Sequence, residues 1–302
     1  MALKDIKSKI KATQRTNKVT HAMEAVSAVK MRKTQGSALA GRPYARAALA
    51  ILARLSGSSD LARHPLATLR PVKKTAFVVI TSDKGLAGAL NANVLKAAAQ
   101  ALEGKAQESI TIFAYGRKGS EYFSRRSYRI KKTFENKSDT IELSGMEELS
   151  LELSAGFLAG EFDEVLAVYS NFKSTFEQAP TVRKLLPLSL SAVSELVSDI
   201  APEKGKFAET APIKAPPAYT IEPSAGEVLG VLIPKLVAVS LYHMLLEAKA
   251  SEHSARMIAM KNASEKSEEV AHDLTRLFNK IRQAAITREV SEIVGGREAL
   301  AS

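Results

Sequence analysis

The sequence predicts an α/β protein in which a long antiparallel coiled coil of N- and C-terminal helices accompanies a globular domain. Three observations predict this class. Residues 251–294 contain no glycine and no proline, residues 1–56 are rich in alanine and lysine, and the segment between them holds short apolar runs typical of buried strands. We therefore divide the chain into an N-terminal coiled-coil helix (residues 1–56), a globular α/β domain and linker (residues 57–223) and a C-terminal coiled-coil helix (residues 224–302).

The composition excludes several classes of protein and site. Hydrophobic residues make up 45% and charged residues 25% of the chain, which is typical of a folded protein. The absence of cysteine excludes disulfides and thiol catalysis, and the five histidines lack the spacing of a zinc site. Because there is no run of about 18 consecutive apolar residues, we predict no membrane span. The basic N-terminus lacks the apolar core of a secretory signal, and Asp5 and Glu24 argue against a transit peptide, so we expect this segment to be retained.

The net charge of +11 is concentrated at the start of the chain. Residues 1–56 hold twelve Lys/Arg and two Asp/Glu, whereas residues 224–302 hold ten of each. Two interpretations stay open. The N-terminal charge is either a solvated helix face or a contact surface for an acidic partner or nucleic acid.

The N-terminal region reads as helix from Leu3 to Ser56, where the sequence SGSSD follows. Three helix breakers lie inside it, at Gly36, Gly41 and Pro43. They allow either a split into two helices or one kinked helix.

The middle region alternates between strand and helix patterns. Apolar, β-branched runs predict strands at residues 75–83, 109–116 and 164–172, and a last edge strand between prolines at residues 179–188. Helical segments lie between them, including residues 91–103 and 149–163. This alternation predicts a Rossmann-like βαβ domain with a largely parallel sheet.

The C-terminal region follows a proline-rich linker at residues 211–223, and Pro234 is expected in the first turn of its helix, where a missing N–H costs nothing. From Pro234 to Val294 such a helix spans about 90 Å. Residues spaced alternately three and four apart form a stripe in which eleven of fifteen are apolar. The stripe consists of Leu236, Val239, His243, Leu246, Ala250, His253, Met257, Met260, Ser264, Ser267, Ala271, Leu274, Phe278, Ile281 and Ala285.

A stripe this rich in Ala, Met, Ser and His predicts a partner helix that approaches closely and is held loosely. Because the N-terminal region is also a long helix, we expect the two ends of the chain to pack against each other in antiparallel orientation. The residues expected to face the C-terminal stripe are Val19, Ala22, Ala25, Val26, Ala28 and Val29.

The segment TSDKGLAGALN (residues 81–91) is the strongest candidate for a chemical site, because a glycine-containing turn between a strand and a helix can present N–H groups to phosphate. It matches neither GxxxxGK[ST] nor GxGxxG. A structural or partner-contact turn is therefore favoured over nucleotide binding. No catalytic centre is predicted elsewhere, because the histidines and glutamates of the C-terminal helix form no recognisable acid–base pair.

Four blocks in order along the chain resemble the gamma-subunit family of rotary F-type ATP synthases. They are IKSKIKATQRTNKVTHAMEAVSAVKMRK (residues 6–33), TSDKGLAGALN (81–91), SEHSARMIAMKNAS (251–264) and NKIRQAAITREVSEIVGG (279–296). The last is similar to the C-terminal signature of the family, with Ile286, Thr287, Glu289, Glu292 and Gly296 in register. Two positions depart from the family pattern, because Ala87 stands where cysteine is common and Arg297 where alanine is usual.

The resemblance implies a central rotor shaft that couples proton-driven rotation of a ring of c subunits to conformational changes in catalytic beta subunits. It implies no catalytic residue, cofactor or metal in this chain. The implied partners are the alpha and beta subunits of the F1 hexamer, the epsilon subunit and the c-ring, and the implied location is the cytoplasmic face of the bacterial inner membrane.

Several residues are expected to contact these partners. Motif matches place Lys84, Gly85, Leu86, Arg256, Arg282, Gln283 and Thr287 against the beta subunits, and Tyr219 and Glu222 against the c-ring. Lys30, Arg32 and Lys33 carry the concentrated positive charge that we expect to face acidic loops of the beta subunits. Two rival interpretations are a basic coiled coil that binds nucleic acid and an enzyme whose middle domain binds a nucleotide.

Overall fold

The computed structural model describes residues 3–40, 63–136, 143–189 and 224–301, together with Ala47, Ile141 and Glu222. The helices are α1 (Leu3–Ala40), α2 (Leu90–Ala101), α3 (Arg117–Ser124), α4 (Leu143–Leu158) and α5 (Ala225–Ala301), with a short 3-10 helix at Gln107–Ser109. The strands are β1 (Thr75–Ile80), β2 (Ile110–Tyr115), β3 (Arg129–Phe134), β4 (Glu164–Phe172) and β5 (Gln178–Leu186). The chain forms two compact units, one of Met1–Ala28 with Arg256–Ser302 and the other of Val29–Ala255.

The strands of the second unit form one sheet in the order β3-β2-β1-β4-β5 within the described residues. β1 pairs in parallel with β2 and β4, and β2 pairs in parallel with β3. Only the β4 and β5 pair among them is antiparallel. The predicted largely parallel sheet, with a last edge strand bounded by prolines, is confirmed.

The two faces of the sheet are both covered, because successive side chains of a strand point to opposite sides. On one face, Phe77 and Val79 of β1 pack in a buried cluster with Val94 of α2 and Phe123 of α3. On the other face, β1 residues such as Val78 join a cluster with residues from α4 and α5. The α4 and α5 members of that cluster are Met146, Leu149, Leu153, Phe157, Leu229, Ile233, Leu236, Val237, Leu241, Met244, Leu245 and Ala248.

The edge strand β3 was missed by the sequence pattern. Its sequence RIKKTF is charged, and its residues alternate between exposed and half-buried rather than buried. The charges are paired, since Lys132 Nζ lies 2.7 Å from Glu148 Oε1 and Lys131 Nζ lies 2.7 Å from Glu161 Oε2. Lysines on an edge strand also discourage pairing with another chain, which explains how so polar a strand is tolerated.

Helix α5 begins at Ala225, so the expectation that Pro234 lies in its first turn is wrong. The start is set by Ser224 as the N-cap, because Glu227 N–H donates to Ser224 Oγ at 3.3 Å and the Ser224 hydroxyl donates to Glu227 Oε1 at 3.0 Å. Pro234 therefore sits inside the helix, at a cost of about 3 kcal/mol. Burial of the adjacent Ile233 offsets this cost, and Ser150 Oγ donates to the Pro234 carbonyl oxygen at 2.6 Å.

Part of α5 is apolar enough to meet a criterion for a membrane span, although it contains no run of about 18 consecutive apolar residues. Within residues 226–294, an 18-residue window has a mean hydropathy of 1.8 and is long and apolar enough to cross a membrane by composition. Half of that window is buried inside the chain. Leu241, Met244 and Leu245 of α5 are among the apolar residues that pack in the buried cluster with the sheet.

The stripe predicted on the second half of α5 is confirmed. Between residues 261 and 294 only Ser264 is fully buried, and the half-buried positions are Ala263, Ser267, Ala271, Leu274, Phe278, Ile281 and Ala285. All but Ala263 belong to the predicted stripe. The pairing with α1 is confirmed as well, since Asn17 Nδ2 donates to the Ser264 carbonyl oxygen at 2.8 Å and Thr20 Oγ1 lies 2.6 Å from Ser264 Oγ.

The prediction of which face of α1 meets this stripe is wrong. Val19, Val26 and Val29 are 58%, 54% and 68% exposed, and Ala22 and Ala25 are exposed as well. Of the predicted positions only Ala28 is half-buried. The least exposed positions on α1 are Ile6, Thr20, Ser27, Met31 and Thr34, with Leu3, Ile10, Thr13, Asn17, Met23, Glu24, Lys30 and Gln35 half-buried.

Backbone hydrogen bonds explain why hydroxyl residues occupy this face. Thr20, Ser27 and Thr34 each donate a hydrogen bond to the carbonyl oxygen four residues earlier in α1. A Ser or Thr satisfied in this way can be buried as a small side chain without an unpaired hydroxyl. The helix also runs unbroken through Gly36, whereas Gly41, Pro43 and Ser56 lie outside the described residues.

Candidate functional site

The turn after β1 is anchored at its base by buried polar residues. Thr81 N–H donates to the Tyr115 carbonyl oxygen at 2.7 Å, and Thr81 Oγ1 accepts from Gly119 N–H at 2.8 Å. Ser82 N–H donates to Asn91 Oδ1 at 3.0 Å, while Asn91 Nδ2 donates to Ser82 Oγ at 2.8 Å. The two ends of the turn are therefore bonded to each other as well as to the neighbouring strand.

The Asp83 carboxylate connects this turn to two other segments. It accepts from the backbone N–H of Arg117 at 2.6 Å and from the backbone N–H of Asn136 at 2.8 Å. Asn136 Nδ2 in turn donates to the Thr81 carbonyl oxygen at 2.7 Å. Asp83 and Asn136 are only 7% and 6% exposed, so the turn rests on a buried hydrogen-bonded base.

Glycine is required where α3 begins beside this base. Gly116 has a φ of +95°, and a Cβ there would overlap the carbonyl oxygen of Thr81. Tyr115, the preceding residue, stacks on Phe134 with ring centroids 5.6 Å apart. Burial raises the pKa of the Tyr115 hydroxyl, and the negative charge of Asp83 adds to the shift.

The tip of the turn is exposed, in contrast to its base. Lys84, Gly85 and Leu86 all face solvent, and Leu86 is 63% exposed with a φ of +63°. Ala87 is buried directly after them. The structure therefore presents a short loop with one positive charge and one apolar side chain, and we name residues 84–86 the β1 loop.

The geometry does not favour phosphate binding at this turn. The buried Asp83 carboxylate lies within the turn, where it accepts the backbone N–H groups of Arg117 and Asn136. A second anion beside that carboxylate would meet like charge. Among the described residues, no cluster of three or more His, Asp or Glu side chains could hold a metal ion.

The predicted contact residues on the helices differ in exposure. Arg32 and Lys33 on α1 are exposed, whereas Lys30 is half-buried. On α5, Arg282, Gln283 and Thr287 are exposed, and the Thr287 hydroxyl donates to the Gln283 carbonyl oxygen at 3.0 Å. These three side chains lie within about one and a half turns of helix.

Arg256 is the exception, because it is only 7% exposed and interacts within the chain. It therefore offers little surface to a partner. Of the two expected c-ring contacts, Glu222 is exposed and Tyr219 lies outside the described residues.

Comparison with known proteins identifies the family. Residues 2–300 match the model of the family described as ATP synthase. The chain is 38% identical to the ATP synthase gamma chain of Pelotomaculum thermopropionicum and 39% identical to that of Moorella thermoacetica, with 99% of each chain covered in both cases.

The chain belongs to the ATP synthase gamma-chain family.

Solved structures agree in fold. The central stalk and c-ring structure of Tetrahymena thermophila mitochondrial ATP synthase contains a chain with a TM-score of 0.61 and 25% identity, covering 82% of this chain and 99% of that one. A chain of the Euglena gracilis mitochondrial enzyme has a TM-score of 0.65 at 17% identity, covering 99% of this chain and 94% of that one. Gamma chains are stalk subunits and do not themselves catalyse the reaction.

Sequence reasoning missed the residues that anchor the β1 loop. Asp83 and Asn91 lie within the recognised motif, yet nothing in its pattern showed which side chains bond to which segment. Asn136 follows the unrecognised strand β3. The available signal was the polar character of residues at strand ends, where parallel sheets gather their loops.

Proposed function

We propose that this chain is the central rotor shaft of an F1Fo ATP synthase. It couples proton-driven rotation of the c-ring to successive conformational changes of the catalytic beta subunits during ATP synthesis. When ATP is hydrolysed, the complex runs in reverse and pumps protons. The observation that carries the proposal is membership of the gamma-chain family over 99% of the chain. The three-part division into residues 1–56, 57–223 and 224–302 assigns the two terminal segments to the shaft.

Exposed apolar residues on both terminal helices support contact with surrounding subunits. Val19, Val26 and Val29 face outward on α1, and Ile286, Val290 and Ile293 are 51%, 53% and 71% exposed on α5. Apolar side chains in such rows are typical of surfaces that a partner covers. We assign the alpha and beta subunits to these surfaces. The epsilon subunit and the c-ring contact the globular domain, with Tyr219 and Glu222 at the c-ring.

The polar contacts to the beta subunits come from three groups of residues. Lys30, Arg32 and Lys33 supply positive charge on α1, and the β1 loop supplies Lys84, Gly85 and Leu86. Arg282, Gln283 and Thr287 supply hydrogen-bonding groups on α5, and Arg256 lies about seven turns earlier on the same helix with its side chain largely buried. Different contacts to three identical beta subunits hold them in different states, because a ligand shifts a conformational equilibrium only by its differential affinity. The complex lies at the cytoplasmic face of the bacterial inner membrane, and this chain is peripheral to it.

Purification of a tagged full-length chain from its own cells tests the assignment. We expect the alpha and beta subunits of an ATPase to accompany it, and their absence would reject the proposal.

A charge variant then separates the shaft from the nucleic-acid interpretation. Replacing Lys30, Arg32 and Lys33 together by glutamine should lower ATP-driven proton pumping more than ATP hydrolysis in reconstituted vesicles. Exposed ion pairs contribute only about 0.2 to 1 kcal/mol each, so the triple replacement is needed. The matched control replaces the exposed Lys4, Lys7 and Lys9, which removes the same charge from the same helix.

Binding to duplex DNA should fall equally in both triple variants, because phosphate contacts depend on the number of charges released. An unchanged ratio of pumping to hydrolysis in the Lys30, Arg32 and Lys33 variant, together with loss of tight duplex binding, would favour the nucleic-acid interpretation.

A further inference from the structure

Lys249 is a buried basic residue on α5, in the sheet-containing unit. It is 2% exposed, and its Nζ donates to the Asn136 carbonyl oxygen at 2.6 Å. Glu252, one turn later on the same helix, lies 3.9 Å from Nζ and is also buried. Burying an amine is costly unless it is paired and hydrogen-bonded, so these partners set where the side chain can lie.

Asn136 is the junction between Lys249 and the base of the β1 loop. Its carbonyl oxygen accepts from Lys249, its backbone N–H donates to Asp83 Oδ2 at 2.8 Å, and its side-chain Nδ2 donates to the Thr81 carbonyl oxygen at 2.7 Å. The backbone and side chain of this one residue therefore join α5 to both residues from which the loop departs. Two consecutive buried hydrogen bonds, from Lys249 to Asn136 and from Asn136 to Asp83, therefore connect the amine of Lys249 to the residue that precedes the exposed residues 84–86.

We propose that Lys249 is a positioning residue, which holds Asn136 and through it the exposed β1 loop in the orientation that the partner subunit requires. The inference rests on the proposed function for the role of the loop, and it adds a residue that itself touches no partner. A loop that is held in one orientation before contact loses less conformational entropy when the partner binds it. A mobile loop loses more and is less well aligned with the partner, and we expect it to transmit less of the rotation.

Loop mobility in the full-length chain provides the direct test. The chain contains no cysteine, so Leu86→Cys creates a single site for a spin label at an exposed position. In this background, Lys249→Met removes the amine while keeping an unbranched side chain of similar length. The matched control is Ser251→Ala, which removes an equally buried hydrogen bond from the same helix, that of Ser251 Oγ to the Ser170 carbonyl oxygen at 3.0 Å.

We expect Lys249→Met to shorten the rotational correlation time of the label several-fold, and Ser251→Ala to leave it unchanged. Equal correlation times in the two variants would overturn the proposal. If Lys249→Met does not fold, Lys249→Gln replaces it, because this variant keeps a polar group at the buried position but removes the charge and shortens the reach to the Asn136 carbonyl oxygen. The same criterion then applies to Lys249→Gln against Ser251→Ala.

Coupling is measured on unlabelled variants that retain Leu86, assembled with the ATP synthase subunits in vesicles. Lys249→Met should pump fewer protons per ATP hydrolysed than the wild type, with hydrolysis retained, whereas Ser251→Ala should keep the wild-type ratio. A mobile loop with an unchanged ratio would also overturn the proposal. Failure of the chain to assemble with alpha and beta subunits would instead reject the proposed function, and the label on the free chain would still decide whether Lys249 holds the loop.

Discussion

The two halves of α5 are buried in different ways. From Leu236 to Arg256 almost every residue is buried, including Lys249 and Glu252, because the helix packs within the domain that contains the sheet. From residue 261 to residue 294 only one face is covered, and Ser264 is the single fully buried residue. One continuous helix thus serves as a core element over part of its length and as one member of a helix pair over the rest.

The two halves of α5 also differ in what they contribute to stability. The first half buries large apolar side chains, each worth about 1.5 to 3 kcal/mol. The second half buries small or polar side chains on one face and leaves apolar residues such as Val290 and Ile293 exposed. Stability is therefore concentrated where α5 meets the sheet, and the helix pair keeps surface available for partners.

The largest effect is expected from Leu241→Ala in the first half. Leu241 is 1% exposed and belongs to the cluster between α5 and the sheet, so its truncation leaves a cavity. We expect the free energy of unfolding to fall by about 2 to 5 kcal/mol in urea titrations of the full chain followed by circular dichroism.

The matched control in the second half is Leu277→Ala. Leu277 is 42% exposed, and we expect a loss below about 1 kcal/mol. Similar losses for the two leucines would show that the halves do not differ as described.

A smaller effect is expected from Ser264→Leu in the helix pair. Ser264 is 6% exposed, and its hydroxyl lies 2.6 Å from Thr20 Oγ1, so a leucine has no room and displaces a hydrogen bond. We expect a loss of about 1 to 3 kcal/mol from overpacking in the same titration.

Ser267→Leu is the comparison for this variant. Ser267 is half-buried and bonds only to the Ala263 carbonyl oxygen of its own helix among the contacts described, at 2.7 Å. Leucine there should be neutral or gain at most about 1 kcal/mol. Equal stabilisation by both substitutions would mean that the contact between α1 and α5 adapts freely to larger side chains.

The smallest effect is expected from Asp163→Asn, which tests the sheet-containing unit alone. Burial raises the pKa of Asp163, but this is outweighed by hydrogen bonds from the backbone N–H groups of Lys73 and Lys74, each at 2.9 Å, and by Arg70 at 3.3 Å. The pKa therefore lies below its ordinary value. A carboxyl group with a lowered pKa stabilises the fold above its unfolded pKa, and this contribution is lost as the pH falls through the folded value.

We expect Asp163→Asn to cost about 1 kcal/mol at neutral pH. The difference from the wild type should shrink below about pH 4, where the carboxyl group of the unfolded wild type becomes protonated. Urea midpoints measured at neutral and acidic pH check both statements. A difference that does not change with pH would show that the charge of Asp163 is not what stabilises this site.

Much of the architecture followed from local sequence pattern. Alternating and continuous apolar runs predicted β1, β2, β4 and β5, because a buried strand needs them. The stripe on the second half of α5 was predicted residue by residue, because one buried face on a helix imposes a period that the sequence must carry. The partner-contact residues stay predictions, which rest on motif resemblance or, for Lys30, Arg32 and Lys33, on charge. Among those that the structure describes, all but Arg256 and Lys30 are exposed.

Tertiary structure alone decided the rest, and in each case the reason is that the determining partner is distant in sequence. On α1 the apolar valines are exposed, whereas Thr20 and Ser27 are buried, because backbone hydrogen bonds satisfy their hydroxyls. The polar strand β3 forms because its lysines pair with glutamates of α4 and of the segment after it. Asp83, Asn136 and Lys249 hold the β1 loop through bonds that span up to 113 residues, and only the fold brings their atoms together.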